Sequence, residues 1–463
     1  MAVKKGERLR VEISKMAFGG RGIARVDDFV VFVDQGVVDD VADVVVTKRK
    51  KNYAEARLLE VVSPSPLRVE PPCPYSGLCG GCKWQFLDYE AQLEYKRRHV
   101  EDALERPGLI EKGRVLPTIP SKRVFGYRNK MEFSCSDRRW LLPSEMEKED
   151  ADRGFALGLH VPGTFYKVLD TQTCLLQPEP GDDILEDVRR FIKNSRLPVY
   201  GLRSHEGFWR FVMLRHSSFY DQWMVNLVSS RDERDEILPL ARSLMEKYPN
   251  VVSALGNINS GKAGIAVGER EIHLAGEKTI RDRIGDLEFD ISANSFFQTN
   301  TLQAQALYQK IEEYAALSGD ETVLDLYCGA GTISAWLARS AKKVLGVEIS
   351  EAAVRDAESN VRLNGIDNCE FIAGDMKDVL PGVEIRPDVM VIDPPRAGMH
   401  KNVVRRVLEM APPKIVYVSC NPAAMARDVE MMKETYRVLE ARPVDMFPHT
   451  WHIECVAKME RTP

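Results

Sequence analysis

Cys420 and Asp393 are set where apolar runs break off, and with Glu454, a lone carboxylate near the end of the sequence, they are of types that can do chemistry together. Val418-Ser419-Cys420-Asn421-Pro422 ends one run with a thiol, and Asn421-Pro422 forces a turn that exposes it. A thiolate is a soft nucleophile. Added to C6 of a uracil ring, it converts C5 from a poor nucleophile into an enolate carbon that can take a methyl group from a sulfonium. A free cysteine ionises at a pKa of about 8.5, so a nearby positive charge or hydrogen bond is expected to assist. Once C5 is methylated its proton must leave before the thiol is eliminated, and that step needs a base. Glu454, in Phe447-Pro448-His449-Thr450-Trp451-His452-Ile453-Glu454, is the candidate, with Trp451 and His452 beside it available for packing or for stacking on a base. The third residue, Asp393, lies in Val389-Met390-Val391-Ile392-Asp393-Pro394-Pro395-Arg396, a strand running into a rigid turn. Amino-group methyltransferases carry a similar Asp-Pro-Pro followed by an aromatic residue; Arg396 stands there instead, which disfavours an amine target.

A methyl donor needs its own site. Val323-Leu324-Asp325-Leu326-Tyr327-Cys328-Gly329-Ala330-Gly331-Thr332 reads as a buried strand entering a glycine loop and then a helix, so backbone can approach a ligand at the carboxyl end of a sheet. Glu348 ends the next strand about 20 residues beyond the glycines, where a carboxylate accepts ribose hydroxyls, and Asp375 follows the third strand in the same manner. The three-glycine dinucleotide fingerprint is missing. That favours a nucleoside without a pyrophosphate, S-adenosylmethionine, over NAD.

Nine cysteines, an odd number, fit ligands and nucleophiles in a reducing compartment better than disulfides. Cys73, Cys79 and Cys82 are spaced C-x5-C-x2-C, with Cys174 as a plausible fourth ligand. Four thiolates suit zinc or an iron–sulfur cluster, and the intervening glycines, which let amides turn toward sulfur, lean toward the cluster. Cys135, Cys328, Cys369 and Cys455 read as structural or incidental thiols.

The elements that must position these residues fall into three regions. Residues 1–64 alternate apolar and polar side chains around Gly19-Gly20-Arg21-Gly22 and predict a small β-barrel, closed off by the stiff Ser63-Pro64-Ser65-Pro66. Residues 65–86 and 116–283 predict an α+β central domain with the cysteine knot. Leu87 to about Leu104 reads as a surface helix. After residue 283 the texture becomes regular strand–helix alternation, with strands at Thr322–Leu326, Lys343–Val347, Glu370–Ala373, Val389–Ile392 and Ile415–Ser419: a largely parallel α/β domain. At 463 residues, 44% apolar, 29% charged and a net charge of −5, the chain reads as a folded cytoplasmic protein with no membrane segment and no leader, and its charge argues against nonspecific coating of nucleic acid. Local basic and aromatic faces remain: Lys48-Arg49-Lys50-Lys51 beside Tyr53, and Arg123, Tyr127, Arg128 and Lys130.

In order along the chain, the barrel, Cys79-Gly80-Gly81-Cys82, Phe297-Gln298-Thr299-Asn300, Asp325-Leu326-Tyr327-Cys328-Gly329, Asp393-Pro394-Pro395-Arg396, Ser419-Cys420-Asn421-Pro422 and His452-Ile453-Glu454 resemble the bacterial 23S ribosomal RNA uracil-5-methyltransferases. The resemblance implies a TRAM barrel, a Rossmann-like methyltransferase domain, and a [4Fe-4S] cluster on Cys73, Cys79, Cys82 and Cys174. It further implies cofactor contacts from Gln298, Tyr327, Glu348, Asp393 and Asp375, with Cys420 as nucleophile and Glu454 as base. Enzymes of this type insert the helix after the knot into the C-terminal domain, giving units of 1–64, 65–86 with 116–283, and 87–115 with 284–463. The related tRNA enzymes are expected to lack the barrel and knot, which directs the reading to a monomer acting on 23S ribosomal RNA. The target base would be flipped out of folded RNA. The alternatives are a tRNA uridine, an RNA cytosine C5, or a noncatalytic RNA-binding assembly protein.

Overall fold

The computed structural model describes residues 3–463; Met1 and Ala2, assigned by sequence to the barrel, lie outside the described residues. Strands β1 (Arg8–Met16), β2 (Gly22–Val26), β3 (Phe29–Asp34), β4 (Val41–Arg49) and β5 (Tyr53–Ser63) close into a barrel in the order β1-β2-β3-β5-β4. Their alternation is the one the sequence shows: Val31, Val33, Val44, Val46, Ala54 and Ala56 all point inward. The linker that follows is tied down. Buried Asp40 accepts the Ser65 amide at 3.0 Å and the Arg68 guanidinium at 2.5 Å.

Helix α1 (Tyr89–Leu104) is capped by Asp88, whose carboxylate accepts the Ala91 amide at 3.2 Å. The central region holds β6 (Lys130–Ser136), β7 (Arg139–Trp140), β8 (Ala156–Gly158), β9 (Val168–Leu169), α2 (Gly181–Asn194), β10 (Trp209–His216), β11 (Trp223–Ser229), α3 (Arg234–Lys247), β12 (Val251–Ile258) and β13 (Arg270–Gly276). Six of these strands form one sheet, β13-β12-β11-β10-β6-β8, while β7 and β9 pair separately. Every residue of β10 and β11 is buried, Arg210, Arg215 and Asn226 included.

A hairpin of β14 (Ile280–Ile284) and β15 (Leu287–Ile291) leads to α4 (Thr301–Ala315) and then to alternating elements: β16 (Thr322–Leu326), α5 (Thr332–Ala338), β17 (Lys343–Glu348), α6 (Glu351–Leu363), β18 (Cys369–Ala373), α7 (Met376–Val379), β19 (Val389–Ile392), α8 (Lys401–Met410), β20 (Lys414–Ser419), α9 (Pro422–Met432), β21 (Tyr436–Val444) and β22 (Glu454–Arg461). The sheet runs β18-β17-β16-β19-β20-β22-β21. Its first five strands are parallel, and β22 lies antiparallel to both its neighbours. The five strands expected from sequence match within a residue or so.

Helix α1 is not the surface helix its charges predict. Leu93, Lys96, Val100 and Leu104 are buried, and the helix packs against α9 and β21. The strand-like stretch after it runs beside β21, with Ile110, Val115 and Ile119 bridging Val438, Ala441 and Val444. Lys96 defeats the sequence reading because its ammonium is fully buried and paired with buried Asp445 at 2.5 Å. Among the described residues no helix is long and apolar enough to cross a membrane.

Candidate active site

Strand register alone assembles most of the site. In the parallel sheet Leu326 pairs with Val347 on one side and Ile392 on the other, so Tyr327, Glu348 and Asp393 leave neighbouring strands at the same carboxyl edge. Ile392 pairs with Tyr417 of β20, whose chain reaches the edge three residues on at Cys420. The antiparallel strand closes the row: Ser419 pairs with Cys455, and one further step of that register sets Cys420 opposite Glu454. Gln298 and Asp375 stand outside this row. Gln298 is buried just ahead of α4, its carbonyl accepting the Asn129 side-chain amide at 2.8 Å. Asp375 caps α7, and the Lys377 ammonium at 2.7 Å holds its carboxyl below the usual range.

Burial sets the electrostatics at the row's centre. It pushes the Cys420 thiol up to about 11, with Glu454 and Asp393 adding to the rise and Arg396 opposing it. Glu454 is buried and its carboxyl is held well above the ordinary range, first by desolvation and then by Asp393, which desolvation raises too. Arg396 is therefore the cation that counters two carboxyls beside the thiol. It is held in place: the Asn421 side-chain amide donates to its carbonyl at 3.0 Å, and its guanidinium lies 4.8 Å from the Trp451 ring centroid. Trp451 in turn stacks on His452 at 4.3 Å.

The glycine loop turns sharply at the carboxyl end of β16. Tyr327 has φ +65°, an uncommon conformation for a bulky residue, and Gly331 has φ +71° with no room for a side chain, since a Cβ would lie 2.7 Å from Phe371. The Glu348 carboxylate accepts amides from Gly329 at 3.1 Å and Ser350 at 2.9 Å. Beneath the loop lies a residue given no role from sequence. Asp325 is fully buried, takes the Ser334 hydroxyl at 2.5 Å, has its other oxygen unpartnered, and is pushed up to about 7 by desolvation. Its place in the motif was visible, but its isolation from water was not.

Sequence reasoning also missed what holds the turn that leads to Glu454. The His449 carbonyl accepts the amides of Lys83 and Trp84, both at 3.0 Å, and the His449 amide donates to Gln92 at 2.8 Å. Tyr127 donates to the Pro448 carbonyl at 3.1 Å, and Asn300 to that of Met446 at 3.2 Å. The knot, α1, the central domain and α4 thus all grip one turn. Tyr127 is consequently buried and does not join Arg123 in a basic surface. In the barrel, Lys48 pairs with Glu55 at 3.4 Å and the Arg49 guanidinium lies 5.9 Å from the Phe29 ring centroid, while Lys50 and Lys51 are exposed.

All nine cysteines are free, and Cys73, Cys79, Cys82 and Cys174 line one cavity of about 620 Å³ together with Arg128, Trp451 and His452. The Gly81 amide donates to the Cys79 sulfur at 3.4 Å, and nearby polar groups (backbone at Tyr75 and Ser76 for Cys73, the Gln85 side chain for Cys82, backbone at Leu176 and Gln177 for Cys174) favour the thiolates against burial. Burial pushes Cys79 up to about 11 and Cys82 up to about 12. Among the described residues no three His, Cys, Asp or Glu side chains converge closely enough to hold a single metal ion. Cys135, Cys328, Cys369 and Cys455 are buried away from this cavity.

A family model described as tRNA (Uracil-5-)-methyltransferase matches residues 269–462, and one for the TRAM domain matches residues 2–59. A relative from Chlorobaculum tepidum, described as an uncharacterized RNA methyltransferase, is 45% identical over 89% of this chain and 88% of its own. The chain belongs to the RNA uracil-5-methyltransferase family. A second RNA methyltransferase, from Porphyromonas gingivalis, is 42% identical over 97% of this chain and 99% of its own. Among solved structures, the Pyrococcus abyssi tRNA (uracil-54, C5)-methyltransferase in complex with S-adenosyl-L-homocysteine superposes with a TM-score of 0.75 at 30% identity, covering 97% of this chain and 100% of that one. The present methyltransferase therefore carries a TRAM barrel and the S-adenosylmethionine-binding fold, and acts on RNA. One inference from sequence needs correcting: a likeness of that extent to a tRNA enzyme means the barrel and the knot-bearing segment do not separate ribosomal from transfer RNA.

Proposed function

We propose that this methyltransferase places a methyl group on C5 of an RNA uridine, with Cys420 as nucleophile and Glu454 as base. The observation that carries the reading is the pairing of Ser419 with Cys455, which sets a thiol and a buried carboxyl face to face at the edge where the glycine loop opens. S-adenosylmethionine, bound between the glycine loop, Tyr327, Glu348, Asp393 and, from flanking segments, Gln298 and Asp375, supplies a methyl group on a positively charged sulfur. Cys420, ionised with the help of Arg396, adds to uracil C6 and makes C5 nucleophilic. After methylation Glu454 removes the C5 proton, the C6–sulfur bond breaks, and the thiolate is restored. A carboxyl raised by burial is a stronger base than one in water, provided it is ionised when the proton must be taken. The cofactor-binding unit comprises residues 87–115 and 284–463, between a barrel of 1–64 and a central unit of 65–86 and 116–283.

Four thiols that line one cavity, with the Gly81 amide turned toward Cys79, support a [4Fe-4S] cluster on Cys73, Cys79, Cys82 and Cys174, with zinc as the alternative. Uracil methylation involves no net redox change, so these cysteines serve to fix the knot, whose Lys83 and Trp84 amides hold the turn before Glu454. The first RNA to test is 23S ribosomal RNA, with the enzyme acting as a cytoplasmic monomer. The full-length likeness to a tRNA uracil-54 enzyme supports transfer RNA as a second reading. Incubation with labelled S-adenosylmethionine and either unmodified RNA, followed by nucleoside mass spectrometry, is expected to yield 5-methyluridine from one of them. 5-Methylcytidine, or no methylated nucleoside from either, overturns the reading.

A further inference from the structure

The central region carries a stack of rings and cations that the methyl-transfer chemistry does not use. The Lys167 ammonium lies 3.8 Å from the Trp140 ring centroid and 5.9 Å from that of Tyr166. The Arg203 guanidinium lies 3.9 Å from the Tyr166 centroid, and Phe165 meets the same ring edge-on at 5.2 Å. Two of these rings face water: Phe165 is 69% exposed, the most open of the large apolar side chains described, and Trp140 is 37% exposed. Among the described residues neither cation has a carboxylate partner, whereas Lys130 and Lys48 are both paired.

The backbone beneath the stack is fixed. The Val161 amide donates to the Lys167 carbonyl at 3.0 Å, the Thr164 amide donates to the Val161 carbonyl at 3.2 Å, and Trp140 pairs with Leu169 across β7 and β9. Exposed rings interleaved with unneutralised cations match what a single strand of nucleic acid offers, namely flat bases to stack and phosphates to neutralise. Position is compatible with the same partner: Val161, Pro162 and Thr164, at the foot of this loop, line the cysteine-lined cavity together with Trp451, whose ring lies 4.8 Å from the Arg396 guanidinium of the candidate active site.

We propose that Trp140, Phe165, Tyr166, Lys167 and Arg203 form a second RNA site, which holds single-stranded nucleotides flanking the target uridine. The proposal rests on the RNA methyltransferase reading but not on which atom is methylated. The test uses the full-length enzyme and a fluorescent, uridine-containing single-stranded RNA, followed by anisotropy across a salt series. Phe165→Ala is expected to weaken binding about tenfold, as loss of one stacked base does. Lys167→Gln with Arg203→Gln is expected to weaken it further and to flatten the salt dependence by roughly one to two released counterions. S-adenosylmethionine binding, unchanged in each variant, reports that the fold is intact. Independently of any substitution, photocrosslinking of 4-thiouridine RNA to the unaltered enzyme should label the peptide containing Phe165. Wild-type affinity and salt slope in the variants, or crosslinks that avoid this peptide, overturn the proposal. Should the product prove to be 5-methylcytidine, the uridine assignment falls while these binding results stand.

Discussion

Replacing Lys96 by Met tests whether the buried pair with Asp445 holds the turn that carries the base. Both side chains are fully buried and the ammonium lies 2.5 Å from the carboxylate, so truncation leaves a charge with no water to receive it. Removing one partner of such a pair costs about 3–5 kcal/mol. Asp445 keeps the Tyr89 hydroxyl at 2.8 Å and the Phe447 amide at 3.2 Å, which places the loss near the lower figure, about 3 kcal/mol. The Phe447 carbonyl also loses the ammonium that donates to it at 3.1 Å, so the turn toward Glu454 loosens as well. Urea unfolding followed by circular dichroism reads the stability change, and Lys96→Met combined with Asp445→Asn should recover part of it, because a neutral amide needs no cation. A loss below about 1 kcal/mol, typical of an exposed pair, would refute the reasoning.

Other expectations follow from the site. Glu454→Gln should slow product release by about 10²–10⁴-fold and let an RNA–protein adduct accumulate, read as a denaturation-resistant band. Because the Cys420 thiol is pushed up to about 11, its thiolate fraction rises about tenfold per pH unit below that value. Iodoacetamide labelling of Cys420 in the RNA-free enzyme should therefore climb from neutral pH toward 11, and Arg396→Gln should slow it at every pH. Gly331→Ala forces a side chain into a left-handed residue within 2.7 Å of Phe371 and 2.8 Å of Ala357, and should cost about 1–3 kcal/mol in thermal unfolding together with weaker S-adenosylmethionine binding in calorimetry. Enzyme purified without oxygen should contain iron and acid-labile sulfide, and Cys79→Ser with Cys82→Ser should lose both.

Among the parallel strands Val389–Ile392 was the most legible, because it is covered on both faces and apolar throughout. Cys420, Asp393 and Glu348 were legible for a related reason. Each follows such a run, and the carboxyl ends of parallel strands share one edge. Glu454 was harder. It is the first residue of β22, an antiparallel strand, and only the register of Ser419 with Cys455 brings it to Cys420. Gln298 could be selected only by resemblance, because a buried glutamine before a helix carries no local mark. Lys96 misled because a lysine inside a charged helical stretch ordinarily faces water, and its partner lies 349 residues away in the chain. Tyr127 misled in the same way. Its neighbours Arg123 and Arg128 suggested a surface, but the hydroxyl is spent on the Pro448 carbonyl.

The central claim is that Cys420 forms a covalent bond to the target base, and RNA carrying 5-fluorouridine at the target position tests it most directly. Fluorine on C5 cannot leave as a proton does, so the adduct should persist after methyl transfer. The structure predicts a stable one-to-one complex in which mass spectrometry finds a methylated, fluorinated uridine bonded to the Cys420 peptide, and no such complex from Cys420→Ala. Methylation of the natural RNA without any trapped complex, or an adduct mapped to another residue, would contradict it.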